Sequence, residues 1–294
     1  MMVPIGLAAV LAAGAAADDP VLGGRKLSEW RTQLASPDAG LRRATLQALA
    51  GLGPDAAPAV PLLPAVFADP DLAVRASAAA VAAAVGPQAK TLTPDLLELV
   101  RGQQSNRVRK AAITALVAVG ADPAAARPVL AAQLSADDFE TRAAAADALG
   151  TIGGKPAEVV PILIPALSDK EAGVRSAACH SLGRFGADAA AAVPTIAGML
   201  SAREWLVRSI AAQSLGRIGP SARGAVPALS AALADKEALV RKRAAEALGR
   251  IGPDAKAALP DLRALSSDRD PGVREAAAKA AAAVAGPPTG GGGG

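Results

Sequence analysis

DKEALVRKRAAEALGRIG, residues 235–252, is the unit from which the chain is built, and it returns seven more times. With Arg241 as a ruler, the equivalent arginines are Arg42, Arg75, Arg109, Arg142, Arg175, Arg208 and Arg274, spaced by 33 residues except for one step of 34. A glycine follows each of the first seven after eleven places: Gly53, Gly86, Gly120, Gly153, Gly186, Gly219 and Gly252. A proline follows after nineteen: Pro61, Pro94, Pro128, Pro161, Pro194, Pro227 and Pro260. Three marks that hold register over about 240 residues define an internal repeat, and a fixed period of this size means a stacked array.

Within one copy, Val240, Ala244, Ala245, Leu248 and Ile251 follow the three-to-four spacing of a helix with one buried face. Asp235 is expected to accept from the free N–H groups of the first turn, with Glu237 at the positive end of the helix dipole. Gly252 is expected to supply the left-handed conformation that ends the helix. Pro260 suits the first turn of a second helix running to about Ser266, because its ring fixes φ and its missing N–H is not needed there. Each period is therefore read as an antiparallel helix pair. Paired alanines such as Ala143-Ala144 and Ala244-Ala245 let helix axes come close. One pair alone buries too little to be stable, so neighbours must stack and share a continuous core in a curved rod.

The copies DKEAGVRSAACHSLGRFG (residues 169–186) and AREWLVRSIAAQSLGRIG (residues 202–219) resemble HEAT repeats, and within them the short type named after the phycobilin lyases. The resemblance covers residues 27–285 and implies an all-α, right-handed α-solenoid of about eight helix pairs. It also implies a ladder in which an aspartate six places before each arginine pairs with it. Asp69, Asp169, Asp235 and Asp268 keep that aspartate, whereas Ser36, Gln103, Ala136 and Ala202 replace it. An acid four places before the arginine (Asp38, Asp71, Asp138, Glu171, Glu204, Glu237, Asp270) is the alternative partner. Ankyrin repeats share the period, but their T-P-L-H signature is absent.

At 294 residues the chain has room for one or two ordinary domains, and a solenoid makes it one elongated unit. Residues 1–17, MMVPIGLAAVLAAGAAA, are apolar, too short to span a bilayer comfortably, and end in small residues of the kind a signal peptidase cuts. They read as a secretory leader, and the chain as exported; the other reading, a capping or disordered segment on a cytoplasmic protein, follows from the lack of Lys or Arg before the apolar run. Residues 18–26 read as a linker, and Leu27 to Ser36 as the first helix, with Trp30 and Leu34 on one face. The second and third repeats are the most degenerate, with Ala83 and Val117 where better copies have glycine; the eighth ends on Ala285, and residues 286–294 form a glycine-rich tail expected to be disordered.

Catalytic and cofactor chemistry finds little support. His180 is the only histidine and Cys179 the only cysteine, so no His-rich metal site, thiolate cluster or intramolecular disulfide can form within one chain. Deoxyhypusine hydroxylases, iron enzymes of HEAT type, use repeated His-Glu pairs, and none occurs here. No phosphate-binding loop or G-x-S-x-G elbow is present, and no Cys-His couple has a plausible geometry. The expectation is a protein without cofactor, metal or catalytic residues. The net charge of +4 gathers in residues 169–294, with 17 Lys and Arg against 12 Asp and Glu, while residues 1–168 carry 14 and 15. A nucleic-acid groove calls for more cations on one face and for stacking rings, and the chain has no Tyr and only three Phe.

The positions one, five and nine after the ruler arginine fall on one exposed helix face. In repeats five to seven they read Ser176, His180, Arg184; Ser209, Gln213, Arg217; and Lys242, Glu246, Arg250. In repeats two to four they read Ala76, Ala80, Ala84; Lys110, Thr114, Ala118; and Ala143, Asp147, Thr151, so the face turns from small and nearly neutral to polar and basic. The row Arg184, Arg217, Arg250 suits carboxylates or sulfates on a partner. Each also sits in the last turn of its helix, where a cation favours the dipole without any ligand. Trp205, three places before Arg208, either stands exposed as an anchor or lies down over its neighbour, as does Phe139. The function expected is a monomeric, non-catalytic scaffold for a peptide, protein or anionic polymer, with His180, Arg184, Trp205, Gln213, Arg217, Glu246 and Arg250 as the candidate surface. A lyase-like factor holding a pigment is the alternative, and it would need a deep apolar cleft.

Overall fold

The computed structural model describes residues 19–102 and 105–286. The leader expected at residues 1–17, the tail from 287 onward and Gln103 lie outside the described residues. The fold is all-α apart from one small hairpin, and the single array expected from the sequence divides into two units at Ile152/Gly153. The division falls at Gly153-Gly154, consecutive glycines with φ of 77° and 110°, a backbone that other residues rarely adopt.

The first unit opens on strands β1 (Val21–Leu22) and β2 (Arg25–Lys26), paired antiparallel around Gly23-Gly24. The segment read as a linker is thus a hairpin. Two glycines with positive φ allow the tight turn. Leu22 is buried over helix α1 (Leu27–Leu34), its carbonyl accepting the Trp30 indole N–H at 3.1 Å, and the Arg25 guanidinium lies 5.3 Å over the Trp30 ring. The remaining helices are α2 (Ala39–Gly51), α3 (Leu63–Phe67), α4 (Leu72–Val85), α5 (Thr93–Arg101), α6 (Asn106–Ala118), α7 (Pro123–Gln133) and α8 (Phe139–Ile152). By length and composition alone residues 72–101 pass for a membrane span, but α4 ends at Val85 and a 3-10 segment, Gly86–Leu92, separates it from α5.

The second unit holds α9 (Pro156–Leu163), α10 (Ala172–Arg184), α11 (Val193–Gly198), α12 (Trp205–Ile218), α13 (Val226–Ala232), α14 (Ala238–Ile251), α15 (Leu259–Ala264) and α16 (Pro271–Ala285). Even-numbered helices carry the ruler arginines, and within each unit each of them packs against the next. Odd-numbered helices are short, and most are reached through a 3-10 segment such as Gly219–Ala225 or Gly252–Ala258.

The glycine mark has the geometry that demands glycine, though not the one expected. Gly219 and Gly252 have φ of 70° and 77° with ψ of −139° and −142°, outside the left-handed helical well and in a region essentially closed to side chains. The proline mark is less regular. Pro94, Pro194, Pro227 and Pro260 are the second residues of α5, α11, α13 and α15, whereas Pro61 lies in a 3-10 segment and Pro128 and Pro161 lie inside α7 and α9. The cap also moves: the N-cap is the residue four places before the arginine, not six. Asp38, Asp71, Ser105 and Asp270 there accept from first-turn N–H groups.

The residue six places before the arginine does a different job. Asp235 takes Nε and Nη2 of Arg208 at 2.6 and 2.9 Å, and Asp268 takes those of Arg241 at 2.7 and 2.8 Å. In the first unit Asp69 takes those of Arg42 at 2.7 and 2.8 Å. The ladder therefore joins these three aspartates to the arginine 27 residues earlier, in the preceding repeat. Each arginine meanwhile donates its Nη1 within its own repeat, Arg241 to the carbonyls of Asp235 and Lys236 at 2.9 and 3.2 Å. Where Ala202 replaces the aspartate, Glu204 reaches Arg175 at 3.2 Å, so the acid four places before the arginine does substitute. Burial alone would raise the Asp235 carboxyl, but hydrogen bonds from Arg208 and the Glu237 N–H outweigh it and hold the group below its ordinary range. The Arg241 hydrogen bond does the same for Asp268.

Three glycines set the helix spacing in the second unit. A Cβ on Gly183, Gly216 or Gly249 would fall 3.0, 3.0 and 2.9 Å from the Cα atoms of Ser214, Ala247 and Ala280 on the next helix. The paired alanines Ala244 and Ala245 are fully buried, as close packing requires.

Candidate interaction groove

The face defined by positions one, five and nine is open to solvent in both units, but its members differ. Arg184, Arg217 and Arg250 are all exposed, at the C-terminal turns of α10, α12 and α14, which pack in sequence. His180, Gln213 and Glu246 are half-buried, with His180 Nδ1 3.5 Å from Arg217 Nη1. Ser209 and Ala76 depart from the expectation: both are buried, so α12 and α4 present only their fifth and ninth positions.

In the second unit this face deepens between α14 and α16 into a groove of about 340 Å³. Its walls carry Lys242, Glu246 and Arg250 from one helix and Glu275 and Lys279 from the other, over a floor of Gly249, Ala276 and Ala280. The floor is low because Gly249 has no side chain and Ala280 stands against it. Glu275 and Lys279 are the first- and fifth-place equivalents in the eighth repeat, which the pattern over repeats two to seven left out; the same helical spacing would have found them. Glu246 pairs with Arg243 at 3.1 Å and Lys279 with Glu275 at 2.6 Å. The hydrogen bond from Lys279, with Lys242 nearby, holds Glu275 below its ordinary value. Both pairs are partly solvated, so exchanging them for a ligand's charges costs little.

The first unit has an equivalent groove across α2, α4 and α6, also of about 340 Å³. Gln47, Ala76, Ala80, Lys110 and Thr114 line it. Equal volume with a different lining means that chemistry, not space, distinguishes the two.

Trp205 stands exposed at the first turn of α12, at 45%, beside Leu206, and Leu239 at the start of α14 is exposed too. Of the two orientations open from sequence, the structure has the exposed one, and Phe139 at the start of α8 is exposed likewise. Cys179 is buried, and burial pushes its thiol up to about 12. Among the described residues no three His, Cys, Asp or Glu side chains gather as a metal site would require.

Comparison with known proteins places the architecture. The family described as HEAT repeats matches residues 27–116, 59–150, 127–195 and 193–282. No curated protein matches the sequence. Among solved structures, one engineered protein is 21% identical with a TM-score of 0.61, covering 86% of this chain and 77% of its own. A second engineered protein is 23% identical with a TM-score of 0.50, covering 77% and 96%. The Kap95:Nup1 complex contains a chain 18% identical with a TM-score of 0.61; the match covers 88% of this chain and 40% of that longer one. At these identities the likeness is one of fold.

Proposed function

We propose, from the premise that this chain belongs to the HEAT-repeat family, that it is a non-catalytic scaffold whose even-numbered helices bind a peptide or protein segment. The observation that carries this reading is the groove between α14 and α16, shallow and lined by five charged side chains of both signs over an alanine and glycine floor. An extended segment fits such a surface: backbone and small side chains lie on the floor, while acidic and basic side chains exchange with Glu246, Glu275, Lys242 and Lys279. Arg184 and Arg217 extend the cationic edge along α10 and α12, which makes an acidic partner the better match. Trp205 and Leu206 offer an apolar anchor at the helix starts. Kap95, of similar fold, is known in complex with Nup1, which agrees with a partner-binding role.

A pigment-holding, lyase-like factor would need a deep apolar cleft, and the charged lining of the groove favours the scaffold. Reading residues 1–17 as a leader assigns this work outside the cytoplasm; mass spectrometry of the mature N terminus tests that part.

The binding experiment is affinity capture with the chain and with a variant bearing Arg184→Glu, Arg217→Glu and Arg250→Glu. Loss of an acidic partner on charge reversal supports the reading, and an unchanged set of captured proteins removes the basic row from it.

A further inference from the structure

The burial pattern identifies which side of each even-numbered helix faces the repeat before it and which faces the repeat after. Six places past the ruler arginine, Ala247 meets Gly216 and Ala280 meets Gly249, so this position looks backward along the stack. It is buried at Val81, Ala115, Ser214, Ala247 and Ala280, but exposed at Ala48 on α2. The position just before the arginine behaves alike: Val74, Val108, Val207, Val240 and Val273 are buried, while Leu41 on α2 is 42% exposed. Four places past the arginine the pattern reverses. Leu46, Ala79, Ile113, Ala212 and Ala245 are buried, and Ala278 on α16 is exposed. The β1–β2 hairpin covers Trp30 on α1 and leaves Leu41 and Ala48 open. The first repeat thus shows a backward face and the last a forward face.

The polar groups at the two ends are also halves of one pattern. Arg274 is held as Arg208 and Arg241 are, its Nη1 donating to the carbonyls of Asp268 and Arg269 at 2.7 and 3.3 Å. Its Nε and Nη2, the fork that elsewhere takes the next repeat's aspartate, have no acceptor among the described residues. At the other end Ser36 stands in the aspartate's place and accepts the Asp38 N–H at 3.1 Å, as Asp235 accepts that of Glu237 at 2.9 Å. Asp38 stands four places before Arg42, the position from which Glu204 reaches Arg175. A cavity of about 600 Å³ lined by Leu262, Arg263, Ser266, Arg274 and Ala278 adjoins the open fork.

We propose that the α15–α16 end of one copy stacks on the α1–α2 end of a second, Arg274 meeting Ser36 and Asp38 while Ala278 packs against Leu41 and Ala48. The two surfaces differ, so the contact is heterologous and extends head to tail instead of closing as a twofold dimer.

Sedimentation of the full chain over a range of concentrations tests this. The expected result is reversible, concentration-dependent association that weakens with salt. Ser36→Asp restores the ladder's missing acid and is expected to tighten association about tenfold, as one added bidentate ion pair should. Arg274→Glu is expected to weaken it by a similar factor. A Leu41→Glu/Ala48→Glu variant and an Ala278→Glu variant, each with one blocked end and with helicity verified by circular dichroism, should each stay monomeric and pair one to one when mixed. A chain that stays monomeric at millimolar concentration, a Ser36→Asp variant no tighter than the parent, or blocked variants that fail to pair would each overturn the proposal.

Discussion

Removing the Asp268 carboxylate tests the ladder where it is best formed. Asp268→Ala deletes three acceptor contacts, from Arg241 Nε at 2.7 Å, Arg241 Nη2 at 2.8 Å and the Asp270 N–H at 2.8 Å. Both side chains of the pair are more than 90% buried, at 7% and 8% exposure, so the guanidinium left behind is desolvated and uncompensated. Breaking a buried pair on one side typically costs about 3–5 kcal/mol. Asp270 remains close enough to act on Arg241, which places the expected loss near the lower figure, and Asp270→Asn added to it should bring the loss nearer the upper one. For a unit of this size about 3 kcal/mol lowers the melting temperature by about 6–12 °C. Urea unfolding followed at 222 nm, with hydrogen exchange on α14 and α16, measures it. The double replacement Arg241→Met/Asp268→Leu, which removes both charges, should recover most of the loss. A loss below about 1 kcal/mol for Asp268→Ala, the value of a solvated pair, would refute the assignment of the ladder as a buried structural bond.

Gly249→Ala gains up to about 1 kcal/mol of helix propensity but drives a methyl group to 2.9 Å from the Ala280 Cα; overpacking of about 1–3 kcal/mol should dominate, lowering the urea midpoint, whereas Gly173→Ala, with nothing within 4 Å, should raise it. The Asp235 and Asp268 carboxyls are depressed in the folded state. Their contribution is therefore complete above the unfolded carboxylate range and lost as pH falls below about 4; the acid-unfolding midpoint should move down in Asp268→Ala once stability at neutral pH is matched with denaturant, because the variant has one such contribution fewer to lose. Cys179, its thiol pushed up to about 12, should resist thiol reagents at pH 8 in the native protein and react at once in urea.

The repeat was legible because arginine, glycine and proline each meet a backbone or charge requirement that no other residue meets as well, and those requirements recur every 33 residues. Sequence spacing could not say which arginine an aspartate joins. Asp235 lies six residues from Arg241 and 27 from Arg208, and only the stacking of helices makes the distant pairing the short one. The cap was misplaced for a related reason: a carboxylate committed to the neighbouring arginine leaves capping to the residue two places on, as at Asp268 and Asp270. The hairpin at residues 21–26 was hidden by its length, since two residues per strand give no alternation to read, although Gly23-Gly24 is a turn signal. The exposed face was legible from helical spacing down to Arg184, Arg217 and Arg250. The groove was not, because it arises from the Gly249–Ala280 approach and needs Glu275 and Lys279 from the following helix.

The bond from Asp69, Asp235 and Asp268 to the arginine 27 residues earlier makes chain length a free variable in evolution. A duplicated block such as the one opening on Asp235 brings an aspartate for the repeat before it and an arginine for the repeat after it, so insertion or deletion of such a whole block strands no charge. A family built this way can lengthen or shorten by unequal recombination without first redesigning a junction, and natural variants should differ by whole repeats far more often than by fractions of one.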